Sequence, residues 1–495
     1  MLLEGRKKIF TDVKHIDRTN VVKVLQKAYG VHQENANDIQ LLMFFEQGKQ
    51  PLQRVKTIRP DIDIRVNSGL PNYIKKFKLG YHWGNPIMLI QRGDKELHGE
   101  NGEDDDLGIS ALNEILKNGE NIAYKDQQMG EFIEISGIGH RMVWPRDFPE
   151  NSNPKDESLV NVFTLDSRFT FMVYYDGPGQ KELMGVTYAK RKNRNVFTCF
   201  TEDAQFEISG EKILSETPNI MGGIPIVEYE RTFDRTGCFE RHIPAINALN
   251  ILESDFTNDV AQRTQEIWWG DNVSFTDEEG NESKPQSGDW VLTRSDSGSA
   301  AKIAPLSSTF QGDATLNAIN SQRTTILQEC YVPIQYESSG GGSTGVATDM
   351  ASGWSAAELD ALQEQQMTER GKRKELKLVL QALKFVPDKV LPSESPLRKV
   401  HVSDIELKFL RKKNSDMSIK ANTFATLVSH GVHGRHAMEY IDAFTDTEQT
   451  WIDSKDGVEA YQKTIYEKNT NENLNSNSAS DTQNQTENSP IIDKV

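Results

Sequence analysis

Hydrophobic positions along this chain change their period twice. From Ile16 to Gly48 the spacing is helical: Val21, Val22, Val24, Leu25 and Tyr29 mark one helix, and Ile39, Leu41, Leu42, Phe44 and Phe45 a second over Asp38–Gln47. Gly30 is expected to separate them. Pro51 and Pro60 break the pattern, and Ile62, Ile64 and Val66 alternate with polar residues, which predicts a short strand over Asp61–Asn67. A short helix over Asn72–Trp83 follows, stopped by Gly84-Asn85-Pro86. From Ile87 to Tyr229 the period falls to two. Strands are expected at Ile87–Gln91, Gly130–Ile138, Val160–Leu165, Phe171–Tyr175, Leu183–Lys190, Asn195–Thr201, Gln205–Ser209 and Ile226–Glu230, with one helix over Leu107–Asn118. Turn signals such as Asp176-Gly177-Pro178-Gly179 punctuate them, and a sandwich-like antiparallel region is expected.

The helical period then returns, and Arg241–Val386 reads as helix, polar hairpin block, helix, glycine-rich loop and long helix. In the first helix Ile246, Leu249, Leu252, Phe256, Val260 and Ile267 form one apolar stripe; in the returning helix Leu316, Ile319, Ile326, Leu327 and Cys330 do so. Such stripes need partners along their whole length. Two helices that leave a body, carry a β module at their far end and return side by side make a projecting stalk, and stalks packed together suggest a ring. The third helix, Ala356–Val386, carries Gly371 in its interior, where a kink is expected, since glycine costs about 1 kcal/mol there relative to alanine. Trp268-Trp269 ends the first stalk helix in this reading, facing either a neighbouring subunit or the β module, which has short strands at Trp290–Thr293 and Ala301–Ala304. Val400–Phe409 reads as a strand and Ser415–Tyr466 as helical, and from Asn469 the Asn, Ser, Thr and Gln composition predicts disorder.

Composition narrows the function classes. With 495 residues the chain has room for two to four domains at roughly 100–200 residues each. The net charge of -17 disfavours tight nucleic-acid binding, which needs clustered cations, and suits a channel that a polyanion passes without sticking. Cys199, Cys238 and Cys330 form no disulfide pattern and read as reduced thiols. Neither a signal peptide nor a membrane-length apolar run is read in the chain, so no membrane partner is expected.

Few motifs carry chemistry. The run from Ser338 to Gly345 has the glycines of a phosphate cradle but lacks the Lys-Ser/Thr pair of a nucleotide loop. The letters of Gly341–Gly345 fit a nucleophile elbow without its strand-to-helix context. A loop facing another molecule is the better reading. His430, His433 and His436 read as a surface cap rather than a metal site, and Glu103–Asp106 as a solvated turn rather than a calcium loop. Lys190–Arg194 reads as a hairpin turn. Arg370, Lys372, Arg373, Lys374 and Lys377 on the third helix are candidate DNA-backbone contacts if that helix lines a channel. No catalytic residue, metal site or cofactor is expected.

Four passages then acquire a joint meaning. Val66-Asn67 through Tyr81 with Gly84–Ile87, Asp166-Ser167-Arg168 with Phe171–Asp176, Gly223–Tyr229 with Phe239-Glu240, Asn247-Ala248-Leu249 and Asn258-Asp259, and Ser343-Thr344-Gly345-Val346-Ala347 occur in the order seen in bacteriophage portal proteins. The chain resembles that family, in its long-tailed double-stranded-DNA phage type, over about Ile62–Glu448. The resemblance implies an α+β multi-domain fold. Its wing would be 1–240 plus the long helix and linker 356–399, its stem 241–269 and 309–337, its clip 270–308, its tunnel loop 338–355, its crown 400–466 and its tail 467–495. It further implies a ring of twelve subunits at a capsid vertex of the virion, assembled in the host cytoplasm. The ring would be a conduit for double-stranded DNA in packaging and ejection, and a platform for terminase, capsid, scaffolding and head–tail adaptor proteins. The tunnel-loop residues facing DNA would be Gly340, Gly341, Gly342, Ser343, Thr344, Gly345, Asp349, Met350 and Trp354. With Asp349 as its one charge, contact would be steric and polar. The alternative is another head–tail connector or tail-ring component, followed by an enzyme fused to a structural domain.

Overall fold

The structure, a computed structural model, describes residues 4–52, 60–91, 102–148, 158–192, 194–263, 268–271, 302–305, 312–334, 353–411, 417–441, 450–451, 454–460 and 463. It divides into two compact units, residues 1–409 and 410–495. The chain is mixed helix and sheet, an α+β protein.

The first unit is layered. Strand β1 (Ile9–Thr11) and helices α1 (Val21–Glu46) and α2 (Leu70–Trp83) lead into β2 (Met88–Gln91), α3 (Gly102–Glu114) and α4 (Ile122–Ser136). Eight strands follow: β3 (Ile138–Pro145), β4 (Val160–Leu165), β5 (Thr170–Tyr175), β6 (Glu182–Arg191), β7 (Arg194–Phe200), β8 (Ala204–Ser209), β9 (Lys212–Pro218) and β10 (Ile226–Glu230). Strands β5 to β9 form an antiparallel meander, with β1 added parallel to β5, and β10-β3-β4 form a second sheet. The period of two decides what each face meets. In β5, Phe171 and Val173 pack with Val21, Val24 and Leu25 of α1, while Met172 and Tyr174 pack with Met142, Trp144 and Ile226 of the small sheet. The other face of the small sheet receives α4 and a long helix through Val143, Val162, Met129, Ile133, Leu376 and Val379. The two sheets face each other as expected for a sandwich, but helices cover both outer faces.

Several sequence expectations give way to packing. Gly30 does not stop a helix: α1 runs through it, because Val24, Leu25, Ala28, His32 and Ile39 keep one continuous buried face. Burial along that face outweighs the local cost of one glycine. The strand expected at Gly130–Ile138 is instead the last turns of α4, and β3 begins only at Ile138. The helical stripe was masked by polar residues on the buried side, Asp126 and Glu134. Gly130 is there for close approach, since a Cβ would lie 2.6 Å from the Trp83 ring. Expected strand Asp61–Asn67 pairs with no other strand among the described residues, and the alternation has another cause given below. Strand β9 was missed because almost all of it is exposed. Glu103–Asp106, expected as a turn, lies in α3, which begins at Gly102.

The stalk region contains α5 (Ile243–Arg263), β11 (Trp268–Asp271), β12 (Lys302–Pro305) and α6 (Gly312–Glu329), and the long helix is α7 (Trp354–Leu383). Trp268-Trp269 therefore belongs to a strand, antiparallel to β12, and not to the helix end. Expected strand Trp290–Thr293 and the tail from Asn469 lie outside the described residues. Strand β13 (Ile405–Lys408) pairs with β2 inside the first unit. The second unit holds α8 (Met417–Ser429) and α9 (Gly434–Ile441), where Gly434 lies against Trp451 and His433 packs on the same ring at 5.0 Å.

Candidate functional site

The stem is covered at its base and bare further out. Ile246 and Leu249 of α5 are fully buried and Ile319 and Ile326 of α6 nearly so, packed with Leu42, Phe45, Leu70 and Phe239. Leu252 and Phe256 pack partly against this cluster. Beyond them Val260 is 44% exposed and Leu316 41% exposed. The apolar stripe thus continues to positions that are left exposed among the described residues.

A second face of α5 is polar and buried. Asn250, Ser254 and Asn258 stand one turn apart and are 0%, 0% and 2% exposed. Their oxygens accept hydrogen bonds from the backbone N–H groups of Ser68 (2.8 Å), Val66 (2.9 Å) and Ile64 (2.8 Å), and Asn258 Nδ2 donates to Ile64 O at 2.9 Å. Four helical residues rise about 6.0 Å. Two extended residues rise about 6.6 Å. The near match lets an extended segment use a helix as its ladder, so the alternation at Ile62, Ile64 and Val66 reports extension without a neighbouring strand. Buried backbone groups must find partners, and here side chains supply them.

The glycine-rich loop has a closed base. Chain direction turns after α6 at Tyr331, with φ of 56°, and α7 starts after Gly353, with φ of 85°. A Cβ on Gly353 would lie 3.7 Å from Pro333 Cα, so both ends of the intervening segment sit side by side. Trp354, expected to face DNA, instead packs its ring on Phe77 (5.9 Å) and Tyr81 (5.7 Å) of α2. It anchors the loop's end to the body, because a large aromatic gains more from burial than from projection. The Tyr81 hydroxyl donates to Glu358 at 2.5 Å, and the Lys78 ammonium lies 5.6 Å from the Tyr331 ring centroid. Gly340, Gly341, Gly342, Ser343, Thr344, Gly345, Asp349 and Met350 lie outside the described residues.

Two buried ionic clusters tie α7 to the body. Nearer the loop, Asp360 and Glu364 of α7 meet Lys78 and His82 of α2, Glu134 of α4 and Arg231. Arg231 Nε lies 3.1 Å from Glu134 and its NH2 3.5 Å from Asp360, and His82 Nδ1 lies 3.1 Å from Glu134. Burial disfavours the charged ring of His82, yet Glu364 and Glu134 raise it to about 9. Burial likewise opposes ionised Glu134, but Arg231 and then His82 bring it down to about 2. His82, Asp360 and Glu364 offer ligand atoms within 4.8 Å of one another, a spacing a metal could use. Three carboxylates facing Lys78, Arg231 and a protonated His82 already balance, which makes this an ion-pair cluster. Further along α7, Lys372 Nζ lies 2.7 Å from Asp126 and 3.2 Å from Glu375, Arg141 lies 2.9 Å from Asp126, and the Tyr229 hydroxyl donates to Glu375. Between the clusters Gly371 rests on Tyr229, where a Cβ would come within 2.4 Å of the ring. Helix α7 is continuous there, so this glycine serves approach and not a kink.

These contacts sort the candidate cations. Lys372 is 5% exposed and held by two carboxylates, so it offers no charge to a ligand. Arg370 lies 3.8 Å from Glu230, Arg373 2.7 Å from Glu369 and Lys374 2.5 Å from Glu182. Lys377 is exposed. Sequence reasoning saw a dense basic patch, but helical geometry spreads it around α7 and neighbouring acids neutralise most of it. It missed both ionic clusters entirely. The apolar stripe read in the sequence gave no signal for them, since Leu359 and Leu362 are exposed whereas Glu364, Lys372 and Glu375 are buried. The three cysteines are free and buried, and burial pushes the Cys330 thiol up to about 12. No helix among the described residues is long and apolar enough to cross a membrane.

Among curated proteins no sequence matches the chain significantly. The family described as phage portal protein, SPP1 Gp6-like, matches residues 23–449, which includes nearly all of α1, every strand except β1, the stem, α7 and the start of the second unit. A match over most of the chain, on a mixed helix-and-sheet body with a two-helix stem, places it: the chain belongs to the phage portal protein family, structural proteins of the capsid and not enzymes.

Proposed function

We propose that this chain forms a ring of twelve subunits at a capsid vertex, a conduit for double-stranded DNA in packaging and ejection. The observation that carries the reading is the apolar stripe of α5 and α6, buried at Ile246 and Ile326 and bare at Val260 and Leu316. A neighbouring stem is the simplest cover for residues that a single protomer leaves in water. In this reading the wing is the layered body with α7, the clip is the β11–β12 module, and the crown is the helical unit after Phe409. Terminase, scaffolding, capsid and adaptor proteins would dock on this ring, and assembly would take place in the host cytoplasm.

The segment between Pro333 and Gly353 is proposed as the DNA-facing loop. Its supports are the shared base of its two ends and its composition, with Gly340, Gly341, Gly342 and Gly345 and only two charges, Glu337 and Asp349. Contact would be steric and polar, since attraction to phosphates would hinder sliding. Electron microscopy of the purified protein and of capsid assembly mixtures tests the ring; monomers in both would rule it out. Deleting Gly340–Gly342 should leave rings intact and lower the yield of packaged genome. A normal genome yield from that variant would remove the loop from the mechanism.

A further inference from the structure

A groove lies between the C-terminal half of α7 and the chain that follows it. It encloses a cavity of about 200 Å³. Leu380, Leu397 and Val400 contribute to its apolar floor, and Lys377, Lys384 and Arg398 stand around it. No carboxylate lines it, in a chain whose net charge is -17. The nearby acids are taken up by lining residues. Asp388 Oδ1 is 3.2 Å from Arg398, and Asp404 accepts the His401 N–H at 2.9 Å. Arg398 also donates to the carbonyls of Val386 (2.7 Å) and Leu391 (2.9 Å), while its buried Nε has no partner among the described residues. Lys377 and Lys384 are exposed, and no ion pair engages either among the described residues. The groove wall is backed by α3, where Gly108 sits directly against Pro396 and Val400.

We propose that this groove docks an acidic amphipathic helix of a partner protein. Charge complementarity identifies the occupant. Lys384, the residue that caps α7, stands seven positions after Lys377, about 10.5 Å on at 1.5 Å per residue. A helix lying beside α7 meets both ammonium groups with acidic residues at i and i+7. Its apolar residues at i+3 and i+4 then enter the cavity between them. This is the helix-in-groove mode, in which apolar anchors supply affinity and the charged rim supplies orientation and selection. On a strongly acidic protein, most of the surface repels such a helix, so an acid-free apolar groove with two available lysines is selective by contrast.

The test uses the full-length protein and two dye-labelled helical peptides of fifteen residues. Both carry leucines at i+3 and i+4; one has glutamates at i and i+7, the other lysines. Fluorescence anisotropy should show the acidic peptide binding about tenfold tighter, the size expected for two exposed ion pairs. The double variant Lys377→Glu, Lys384→Glu changes exposed positions only, and circular dichroism should show it folded. In it the preference should invert. Equal binding of the two peptides, or an unchanged preference in the variant, would overturn the proposal. So would displacement of the acidic peptide by duplex DNA, which would make the lysines a phosphate site. A groove used between copies of this chain would show itself as peptide binding to monomers but not to assembled rings, and that result too would overturn it.

Discussion

Helix α7 and the stem pair α5–α6 are both amphipathic, yet they face opposite kinds of surroundings. The inner side of α7 buries Glu364, Lys372 and Glu375 against Arg231 and partners from four other elements, α2, α4, β3 and β10, and buries them inside one protomer. The stem carries ordinary apolar residues, and part of its stripe stays in water at Val260 and Leu316. Charge is therefore inside where the fold is self-sufficient, and hydrophobicity is outside where it is not. Buried ion pairs are a weak source of stability compared with apolar packing, but they tolerate few alternative registers. A helix packed along its length inside one protomer gains from one defined register. A stem that awaits a neighbour gains from an open apolar stripe.

The contrast can be broken most forcefully at Arg231. Replacing Arg231 with Ala leaves Glu134 and Glu364 buried without that cation and should destabilise the first unit by about 3–5 kcal/mol in denaturant unfolding. A loss under 1 kcal/mol would mean that the cluster is solvated in solution. Next comes the stem. Leu249→Ala, at a fully buried position, should cost about 2–5 kcal/mol. Val260→Ala, 44% exposed, should stay within about 0.5 kcal/mol in the protomer. The same Val260 change should nonetheless weaken ring assembly in sedimentation velocity; equal assembly by both proteins would mean that no neighbour covers this stripe.

A smaller effect is expected where the extended segment leans on α5. Asn258→Ala strips partners from the N–H and C=O of Ile64 and should cost about 1–3 kcal/mol. Limited proteolysis should then cut within 61–67 faster than in the parent protein, whereas unchanged cleavage would show that the ladder does not hold the segment. A last expectation concerns pH dependence. His82 is raised from 6.5 to about 9, so its contribution is complete below 6.5 and is lost as pH rises through 9. Glu134 is lowered from 4.5 to about 2, so its contribution is complete above 4.5 and is lost as pH falls through 2. Melting temperature should therefore decline between pH 6.5 and 9, and His82→Gln should flatten that limb. A wild-type profile already flat there would contradict a charged His82.

Much of the fold was legible because the local period carries the side chain's destination. Strands β4 to β8 and β10, the stem helices and α7 all stand close to where alternation and helical spacing put them. Failures occurred where one signal had two causes. Alternation at Ile62, Ile64 and Val66 marks extended backbone, but not whether its hydrogen-bond partner is a strand or the Asn250–Ser254–Asn258 face of a helix. Gly30, Gly130 and Gly371 look alike in sequence, yet one is tolerated and two permit contact with Trp83 and Tyr229. At the candidate site the sequence marked a glycine-rich segment between two helices, and that segment lies outside the described residues. The anchoring of Trp354 was not legible, because nothing local links it to Phe77 and Tyr81, which lie more than 270 residues earlier.

By itself the sequence determined the order of parts: a mixed body, a two-helix stem carrying a β module, a glycine-rich loop and a long helix. Periodicity is a local property, and those parts are local. Only the tertiary structure decided which charges are buried, which cations remain available and where the stem's stripe runs out of cover. Those depend on distant segments meeting, as when Arg231, Glu134, His82 and Glu364 converge from four places in the chain. Desolvation and pairing then act on the assembled neighbourhood, and no single stretch of sequence contains it.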